Sequence, residues 1–456
     1  MPLDMTLDMT RGNPLRSIVL FSIPMLIGGV FQLFYNLTDT LVVGRTIGSQ
    51  ALAAVGATTS ATFFLTSVAL GFTSAFSIVI SQRFGAADKP ALRRAVISSI
   101  YLTLAASLLL ALAGIFGARP LLVLLQTPAD ILDDAAAYLR ICMGCSVGLI
   151  VYNGAAGILR AVGNSRTPLF VLIFCTLLNI GLDLLFVLVF HLGVPGVAIA
   201  TVLSQLCSAA VCVFLLVRQF RSLSFTRADL SPDWDSLREI TVLGLSMGAQ
   251  SVLLSIGEMT VTGAINVYGS DVVAAFTTVN RFTQFATISY LNFAGAFSVF
   301  AGQNFGAKRF DRIKKGFRET FLIILVLSVL SAVLSFLFGD HLVRLFLSEG
   351  DTRLDSVLGI ARGCLRVYSV FFPALGVILL YNNTLRGMGD AAIPFLSGMV
   401  ELALKVGGAL VLSALFGYFG IWFANPLGWA LGIIPSAIRY HLGRWAKEPA
   451  AEPAAP

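Results

Sequence analysis

The sequence predicts an all-α polytopic membrane protein, with twelve transmembrane helices in two pseudo-symmetric six-helix lobes around a central cavity. Of the 456 residues, 57% are hydrophobic and only 12% are charged, whereas soluble domains have about 45–50% and about 25%. Apolar runs recur along almost the whole chain, each with the roughly twenty residues that are needed to cross a bilayer. An ordinary soluble protein is therefore excluded.

The twelve predicted spans are bounded by charges, Gly and Pro. They cover 16–43, 51–81, 92–117, 134–159, 168–190, 196–219, 239–267, 272–302, 317–339, 355–384, 394–416 and 420–440. The predicted domains are a cytoplasmic N-terminus (1–15), a first lobe with helices 1–6 (16–220), a cytoplasmic linker (221–238), a second lobe with helices 7–12 (239–443) and a disordered tail (444–456).

The basic residues indicate the orientation of the chain. The formal charge is +7, but most Lys and Arg residues lie in the short loops on one side of the predicted spans. Because such loops stay in the cytoplasm, we expect a multi-pass protein of the cytoplasmic (inner) membrane with both termini cytoplasmic. The lipid bilayer, and not a nucleic acid, is the predicted large partner.

The two halves of the chain carry the same short motifs. The segment Gln82-Arg-Phe-Gly-Ala86 recurs as Gln303-Asn-Phe-Gly-Ala307, and Leu159-Arg160 through Pro168 recurs as Leu385-Arg386 through Pro394. Because each half has six predicted spans, the second copy enters the membrane in the same direction as the first. Two like bundles that rock about a shared cavity fit transport by alternating access.

Neither an ATPase nor an enzyme is predicted. The chain has no Gly-Lys pair and hence no phosphate-binding loop of the Gly-x-x-x-x-Gly-Lys type. The three His residues lie at or beyond the ends of spans, where they cannot form a catalytic cluster within the membrane. Transport must then draw on an ion gradient, with no cofactor other than a coupling ion.

Three polar residues in the first half, Asp39, Asp183 and Thr201, lie at similar predicted depth, and Asn179 shares the helical face of Asp183. Acidic side chains within spans are costly unless they have a function or a partner. These carboxylate, amide and hydroxyl groups offer oxygen ligands for Na⁺, and two nearby carboxylates also favour binding of a proton. The alternative is that Asp39 and Asp183 only cap or hydrogen-bond their neighbours.

The first helix carries a polar stripe and a helix breaker. Gln32, Asn36 and Asp39 share one face, and Pro24 removes a backbone hydrogen bond below them, which predicts a hinge. An alternative is a tolerated kink. The residues predicted to line the substrate cavity are Gln32, Tyr35, Asn36, Glu258, Arg281 and Lys405.

The ionisable residues of the second half allow two interpretations. Glu258 and Arg281 reach equal depth on adjacent helices, where a salt bridge is at least as plausible as contact with substrate. Glu401 and Lys405 form an i, i+4 pair that favours mutual neutralisation. Lys405 aligns with Asn179 of the first half, so we hypothesise that ion coupling is confined to the first half.

Several motifs together resemble those of the multidrug and toxic compound extrusion (MATE) transporters over essentially the whole chain. They are Gly12-Asn-Pro-Leu15, Tyr35-Asn-Leu-Thr-Asp39, Val43-Gly44 through Gly48 to Ala53-Ala-Val-Gly56, Gln82-x-Phe-Gly-Ala86 and Leu159-Arg-Ala-Val-Gly-Asn164. The resemblance implies two six-helix lobes and export of cationic, often aromatic, compounds in exchange for H⁺ or Na⁺. It also implies a cation site at Asp39, Asn179, Asp183 and Thr201, and a role for Glu258. The tenth span departs from the family's second-half site, because it has Tyr381-Asn-Asn383 and no acid.

A flippase for lipid-linked or other amphipathic substrates is the alternative transporter. Such a protein needs a strongly basic cavity for pyrophosphate, whereas the other basic residues are assigned to one side of the membrane or the other, and only Arg281 and Lys405 are assigned to its interior. The prediction is therefore an antiporter of amphipathic organic cations, acting as a monomer.

Overall fold

A computed structural model describes residues 6–220, 227–344, 354–443 and 445, apart from the side chains of Asn36, Leu37, Asp39, Thr40, Ser49, Arg227, Ala228, Leu342, Val343 and Leu354. No β-strand occurs in this part of the chain. The helices of the first half are α1 (Pro14–Thr46), α2 (Ser49–Gly85), α3 (Lys89–Leu124), α4 (Leu132–Gly144), α5 (Val147–Ala161), α6 (Arg166–Leu184) and α7 (Gly193–Phe220). Those of the second half are α8 (Trp234–Asn266), α9 (Ser270–Gly306), α10 (Phe310–Arg344), α11 (Leu354–Gly387), α12 (Ala392–Phe416), α13 (Tyr418–Ile421) and α14 (Ala424–Leu442).

The helices confirm the predicted membrane protein. Eleven of the described spans are long and apolar enough to cross a bilayer, and a bent pair completes twelve. That pair is α4 with α5, which meet at 45° where one straight helix over 134–159 was predicted. The two parts pack against different neighbours: a Cβ on Gly114 of α3 would collide with Met143 of α4, and one on Gly148 of α5 would lie 2.8 Å from the Leu206 nitrogen of α7.

Local sequence fixes where several helices begin. The Asn13 side chain accepts a hydrogen bond from the Arg16 amide at 3.4 Å, and Pro14 occupies the first turn of α1. Asp88 caps α3 in the same way by accepting from the Ala91 amide at 2.9 Å. The first turn of a helix has backbone amides without partners inside the helix, and capping side chains such as these accept hydrogen bonds from them. Proline has no N–H, so it fits the first turn without loss of a hydrogen bond.

The backbone repeats between the two halves. Several residues with positive φ occur in matched pairs: Gly163 and Gly389 at 86° and 88°, Gly193 and Gly417 at 60° and 64°, and Ala87 and Lys308 both at 55°. Positive φ is uncommon outside glycine, so agreement at Ala87 and Lys308 is informative. These angles support the duplication that the motifs predicted.

The chain divides into two compact units. The first comprises Met1–Ser255, Gly295–Ala307 and Gly387–Gly389, and the second comprises Ile256–Ala294, Lys308–Arg386 and Asp390–Pro456. In the second unit Trp422 stacks on Phe276, with 6.1 Å between ring centroids, inside a hydrophobic core. The first unit has a core of mostly aliphatic side chains, such as Leu122 and Val197. Each unit therefore has its own hydrophobic core.

Candidate functional site

Polar side chains of α6 and α7 lie buried in the first unit. Asn179 and Asp183 are one helical turn apart, with 1% and 0% exposure, and Thr201 on the adjoining α7 is 8% exposed. Among the described residues, Asn179 Nδ2 and Thr201 Oγ1 have no hydrogen-bond partner. Unsatisfied buried polar atoms cost about 1–3 kcal/mol each, so these groups are suited to receive a ligand.

A π-helical turn follows this site. Residues Leu185–Val189 form the turn directly after α6, and the Phe190 amide donates to the Leu185 carbonyl at 3.1 Å. The equivalent stretch of the second half belongs to α12, which is a regular α-helix to Phe416. Single π turns are rare and often lie at functional sites. This turn therefore distinguishes the first half from the second.

The remaining residues predicted for this site lie on α1. The side chains of Asn36 and Asp39 lie outside the described residues, while Gln32 is exposed and Tyr35 is half-buried. Helix α1 continues through Pro24 and contacts α6, where a Cβ on Gly28 would lie 3.7 Å from Leu172. The position of α1 is thus compatible with a role for its polar stripe, which remains a prediction.

Three charged groups meet in the second unit. Lys405 of α12 places its Nζ 3.0 Å from Glu258 Oε1 of α8 and 3.2 Å from Glu401 Oε1, one turn earlier on α12. The lysine side chain is 4% exposed and Glu401 is 10% exposed, whereas Glu258 is 45% exposed. The cluster has a net charge of −1, and Glu258 is its accessible carboxylate.

Two glycines confine the Lys405 side chain. A Cβ on Gly257 would lie 3.2 Å from Lys405 Cδ, and one on Gly428 would lie 3.3 Å from Lys405 Cγ. Helices α8 and α14 therefore approach the lysine stem closely because they present glycine to it. Confinement reduces the number of conformations open to the long side chain, which helps to hold its ammonium between the two carboxylates.

The i, i+4 pair of Glu401 and Lys405 is confirmed, whereas the proposed Glu258–Arg281 salt bridge is not formed. Both of those side chains are described, and no ion pair joins them: Glu258 bonds to Lys405, and Arg281 is exposed. Glu258 lies on α8 and Arg281 on the next helix, α9, as predicted, but predicted depth does not specify which face of a helix a side chain occupies. Lys405 of α12 forms the ion pair with Glu258 instead.

The recurring Gln-x-Phe-Gly-Ala motif forms a second polar site, in the first unit. Gln82 Nε2 donates to the Gly387 carbonyl at 2.8 Å, and its counterpart Gln303 Nε2 donates to the Ala161 carbonyl at 2.9 Å. Gln82 is 9% exposed and Gln303 is fully buried. Each glutamine thus bonds to the end of a helix from the other half, at the end of the spans that is predicted to be cytoplasmic.

The N-terminal segment completes this connection. The Met9 amide donates to Gln303 Oε1 at 3.0 Å, Asn304 Nδ2 donates to the Met9 carbonyl at 3.1 Å, and the Leu7 amide donates to the Gly163 carbonyl at 3.2 Å. The Met9 side chain is fully buried. We name these contacts of Leu7 and Met9, together with the Gln82 and Gln303 bonds, the latch. Sequence reasoning found the repeated motif but not this role for it.

Clusters of the usual metal-binding residues are not found in the described part of the chain, where no group of three or more His, Cys, Asp or Glu is placed to hold a metal ion. Asn179, Asp183 and Thr201 instead offer the amide, carboxylate and hydroxyl groups that suit a hard monovalent cation or a proton.

Duplicated bundles of membrane-spanning helices, with ionisable groups buried inside them, define a multi-pass membrane transporter. Comparison with known proteins identifies its family: the MatE family model matches residues 24–185 and 247–411. This chain belongs to the MatE family.

Individual proteins also match over nearly the whole length. The Bacillus subtilis proteins "Probable multidrug resistance protein YpnP" and "Probable multidrug resistance protein YoeA" are 28% and 29% identical to this chain, covering 96% and 92% of it and 97% and 92% of their own lengths. A solved structure described as the outward-facing conformation of a multidrug resistance MATE family transporter superposes with a TM-score of 0.86 and 25% identity, covering 93% of this chain and 95% of the other. The two relatives therefore match this chain over nearly their full lengths, and the solved structure shares its fold.

Proposed function

We propose that this transporter exports amphipathic organic cations from the cell in exchange for H⁺ or Na⁺, by alternating access of its two halves. The observation that carries the proposal is the buried polar site in the first half, where the Asp183 carboxylate is fully buried and the Thr201 hydroxyl has no hydrogen-bond partner among the described residues. A membrane-embedded site of this kind binds a small cation or a proton when it is offered one.

The coupling ion binds at Asp183, Asn179 and Thr201, with Asp39 contributed by α1. Occupation of this site by the ion and release of the substrate are then linked, since α1 contacts α6 and the hinge at Pro24 allows α1 to respond to the charge of the site. A cation that neutralises the buried carboxylate favours one form of α1, and its departure favours the other.

Support for cationic substrates comes from charge and from the relatives. Glu258 retains an accessible carboxylate in a cluster of net charge −1, which favours organic cations over anions. Both YpnP and YoeA are named as probable multidrug resistance proteins. We further propose that the protein acts as a monomer in the cytoplasmic membrane, with both termini in the cytoplasm.

The test is efflux of a fluorescent cationic dye from proteoliposomes under an imposed pH or Na⁺ gradient, without ATP. The wild type is expected to move the dye under one of these gradients, and Asp183→Asn is expected to abolish this movement. Asp134→Asn is the matched control, because Asp134 is an exposed aspartate in the first turn of α4. Equal gradient-driven efflux by wild type and Asp183→Asn would refute the coupling site.

A further inference from the structure

We propose that Lys405 limits the transporter to one coupling cation per cycle, because its ammonium permanently fills the second-half counterpart of the first-half cation site. This inference rests on the proposed function and adds a specificity-determining residue to it. As a result, the second half does not bind a mobile H⁺ or Na⁺.

The two sites share one position of the repeat, that of Asn179 and Lys405. From Pro168 to Asp183 and from Pro394 to Ala409 the chain is uninterrupted α-helix, within α6 and α12. The register is therefore fixed from the repeated prolines onward, and Lys405 occupies the position of Asn179. Both side chains are buried, at 4% and 1% exposure.

The difference in length between the halves does not disturb this register. The offset between repeats falls from 226 at the prolines Pro168 and Pro394 to 224 at the glycines Gly193 and Gly417, so the first half has extra residues between these positions. The π turn at Leu185–Val189 and the non-helical residues that follow it accommodate extra residues, and both lie after Asp183. The extra residues therefore leave the alignment of Asn179 with Lys405 unchanged.

The chemistry of the second-half site is that of an occupied cation site. Two carboxylate oxygens, from Glu258 and Glu401, lie 3.0 and 3.2 Å from one Nζ. Both oxygens are close enough to that point to bind one small cation between them. The ammonium supplies the charge that a mobile cation would otherwise bring, but it is covalently attached to α12 and cannot leave.

Removal of the ammonium leaves two carboxylates facing each other. Two carboxylates that reach the same point, each within 3.2 Å of where the ammonium was, have a raised affinity for a proton or a metal cation, as in other carboxylate pairs. In Lys405→Asn the site gains the amide that the first half already uses, and we expect it to bind a second cation. The reciprocal change, Asn179→Lys, places a tethered ammonium beside Asp183. This variant is expected not to bind the coupling cation in the first half.

The experiment counts the cations displaced when a cationic dye binds to the detergent-solubilised full chain. Protons are counted from the pH change in weakly buffered solution and Na⁺ with a sodium-selective electrode. We expect one cation per transporter in the wild type, two in Lys405→Asn and none in Asn179→Lys. The control variant is Arg238→Asn, which removes an exposed positive charge near the start of α8. It is expected to release one cation, as the wild type does.

The counts of released cations test the role of Lys405 separately from coupling at Asp183. One cation released by a folded Lys405→Asn, or two by the wild type, would overturn the role of Lys405. If the wild type releases no cation and Lys405→Asn releases one, coupling at Asp183 and the count of one cation per cycle are refuted, but the blocking of the second-half site by Lys405 is supported. If Lys405→Asn does not fold, Asn179→Lys decides: continued release of one cation by that variant overturns the inference.

Discussion

Gln82 and Gln303 occupy the same position in the two copies of the repeat, and each donates a hydrogen bond to a backbone carbonyl at the end of a helix in the other half. The acceptors, Gly387 and Ala161, are themselves equivalent positions. A pair of identical bonds related by the duplication therefore links helix ends from the two halves within the first unit.

Removal of the Gln303 side chain from the latch should loosen the N-terminal segment. Gln303→Ala deletes the acceptor of the Met9 amide and the donor to Ala161. Each bond contributes about 1 kcal/mol, so we expect amide exchange at Met9 to be accelerated by about fivefold or more. Hydrogen–deuterium exchange mass spectrometry on the peptide that contains Met9 measures this.

The matched control for Gln303→Ala is Gln50→Ala. Gln50 also donates its side-chain amide to a backbone carbonyl, that of Asp130 at 3.1 Å, but it lies at the start of α2 and is exposed. Exchange at Met9 should not change in this variant. Equal acceleration in both variants, or none in Gln303→Ala, would show that the latch does not hold the segment.

The close approach of α2 and α9 depends on glycine. A Cβ on Gly85 would collide with the Gln303 carbonyl, and one on Gly306 with the Gln82 carbonyl. We expect Gly85→Ala and Gly306→Ala each to cost about 1–3 kcal/mol through overpacking, with a lower thermal unfolding midpoint in detergent. Gly56→Ala is the control, since nothing lies within 4 Å of its Cβ position; a loss there as large as at Gly85 would contradict the explanation.

The Thr201 hydroxyl is expected to bind the coupling cation directly. Thr201→Val keeps the shape of the side chain and removes its oxygen, so the affinity for the cation should fall by about tenfold, or about 1.4 kcal/mol. Calorimetric titration with H⁺ or Na⁺ measures this affinity. Thr103→Val removes a buried hydroxyl that already bonds to the Ser99 carbonyl, and it should lower stability but leave cation affinity unchanged.

The two carboxylates around Lys405 should differ in their effect on stability. Glu401 is 10% exposed, so Glu401→Gln removes a charge-assisted bond in a buried setting and is expected to cost about 2 kcal/mol. Glu258 is 45% exposed, and solvent screening limits the cost of Glu258→Gln to less than about 1 kcal/mol. Thermal unfolding of the purified variants provides the comparison; a larger loss in Glu258→Gln would be contrary to the observed burial.

The membrane fold was predictable because hydropathy and span length depend on local sequence. The bend between α4 and α5 was not, since it follows from the close packing of Gly114 on Met143 and of Gly148 on α7. Such contacts involve residues far apart in the chain, and no periodicity within 134–159 reports them. The duplication was readable from motifs, and the matched φ angles support it independently.

The ionisable groups show how far depth alone can guide a prediction. Depth along a helix identified Glu258, Arg281 and Lys405 as residues within the membrane, but the choice of partner for Glu258 depended on helix rotation and on Gly257. The latch could not be predicted for a similar reason. The repeated motif identified Gln82 and Gln303, but their acceptors are backbone carbonyls, which every residue has and which no sequence pattern marks.

In the proposed mechanism, dye export and cation entry are one coupled process that requires Asp183. The most direct measurement runs the exchange in reverse, with proteoliposomes in which a gradient of cationic dye is imposed and H⁺ or ²²Na⁺ movement is followed with no ion gradient present. We predict that the dye gradient drives one of these cations in the opposite direction in the wild type and not in Asp183→Asn. Dye movement without opposing cation movement in the wild type, or equal cation movement in Asp183→Asn, would contradict the account.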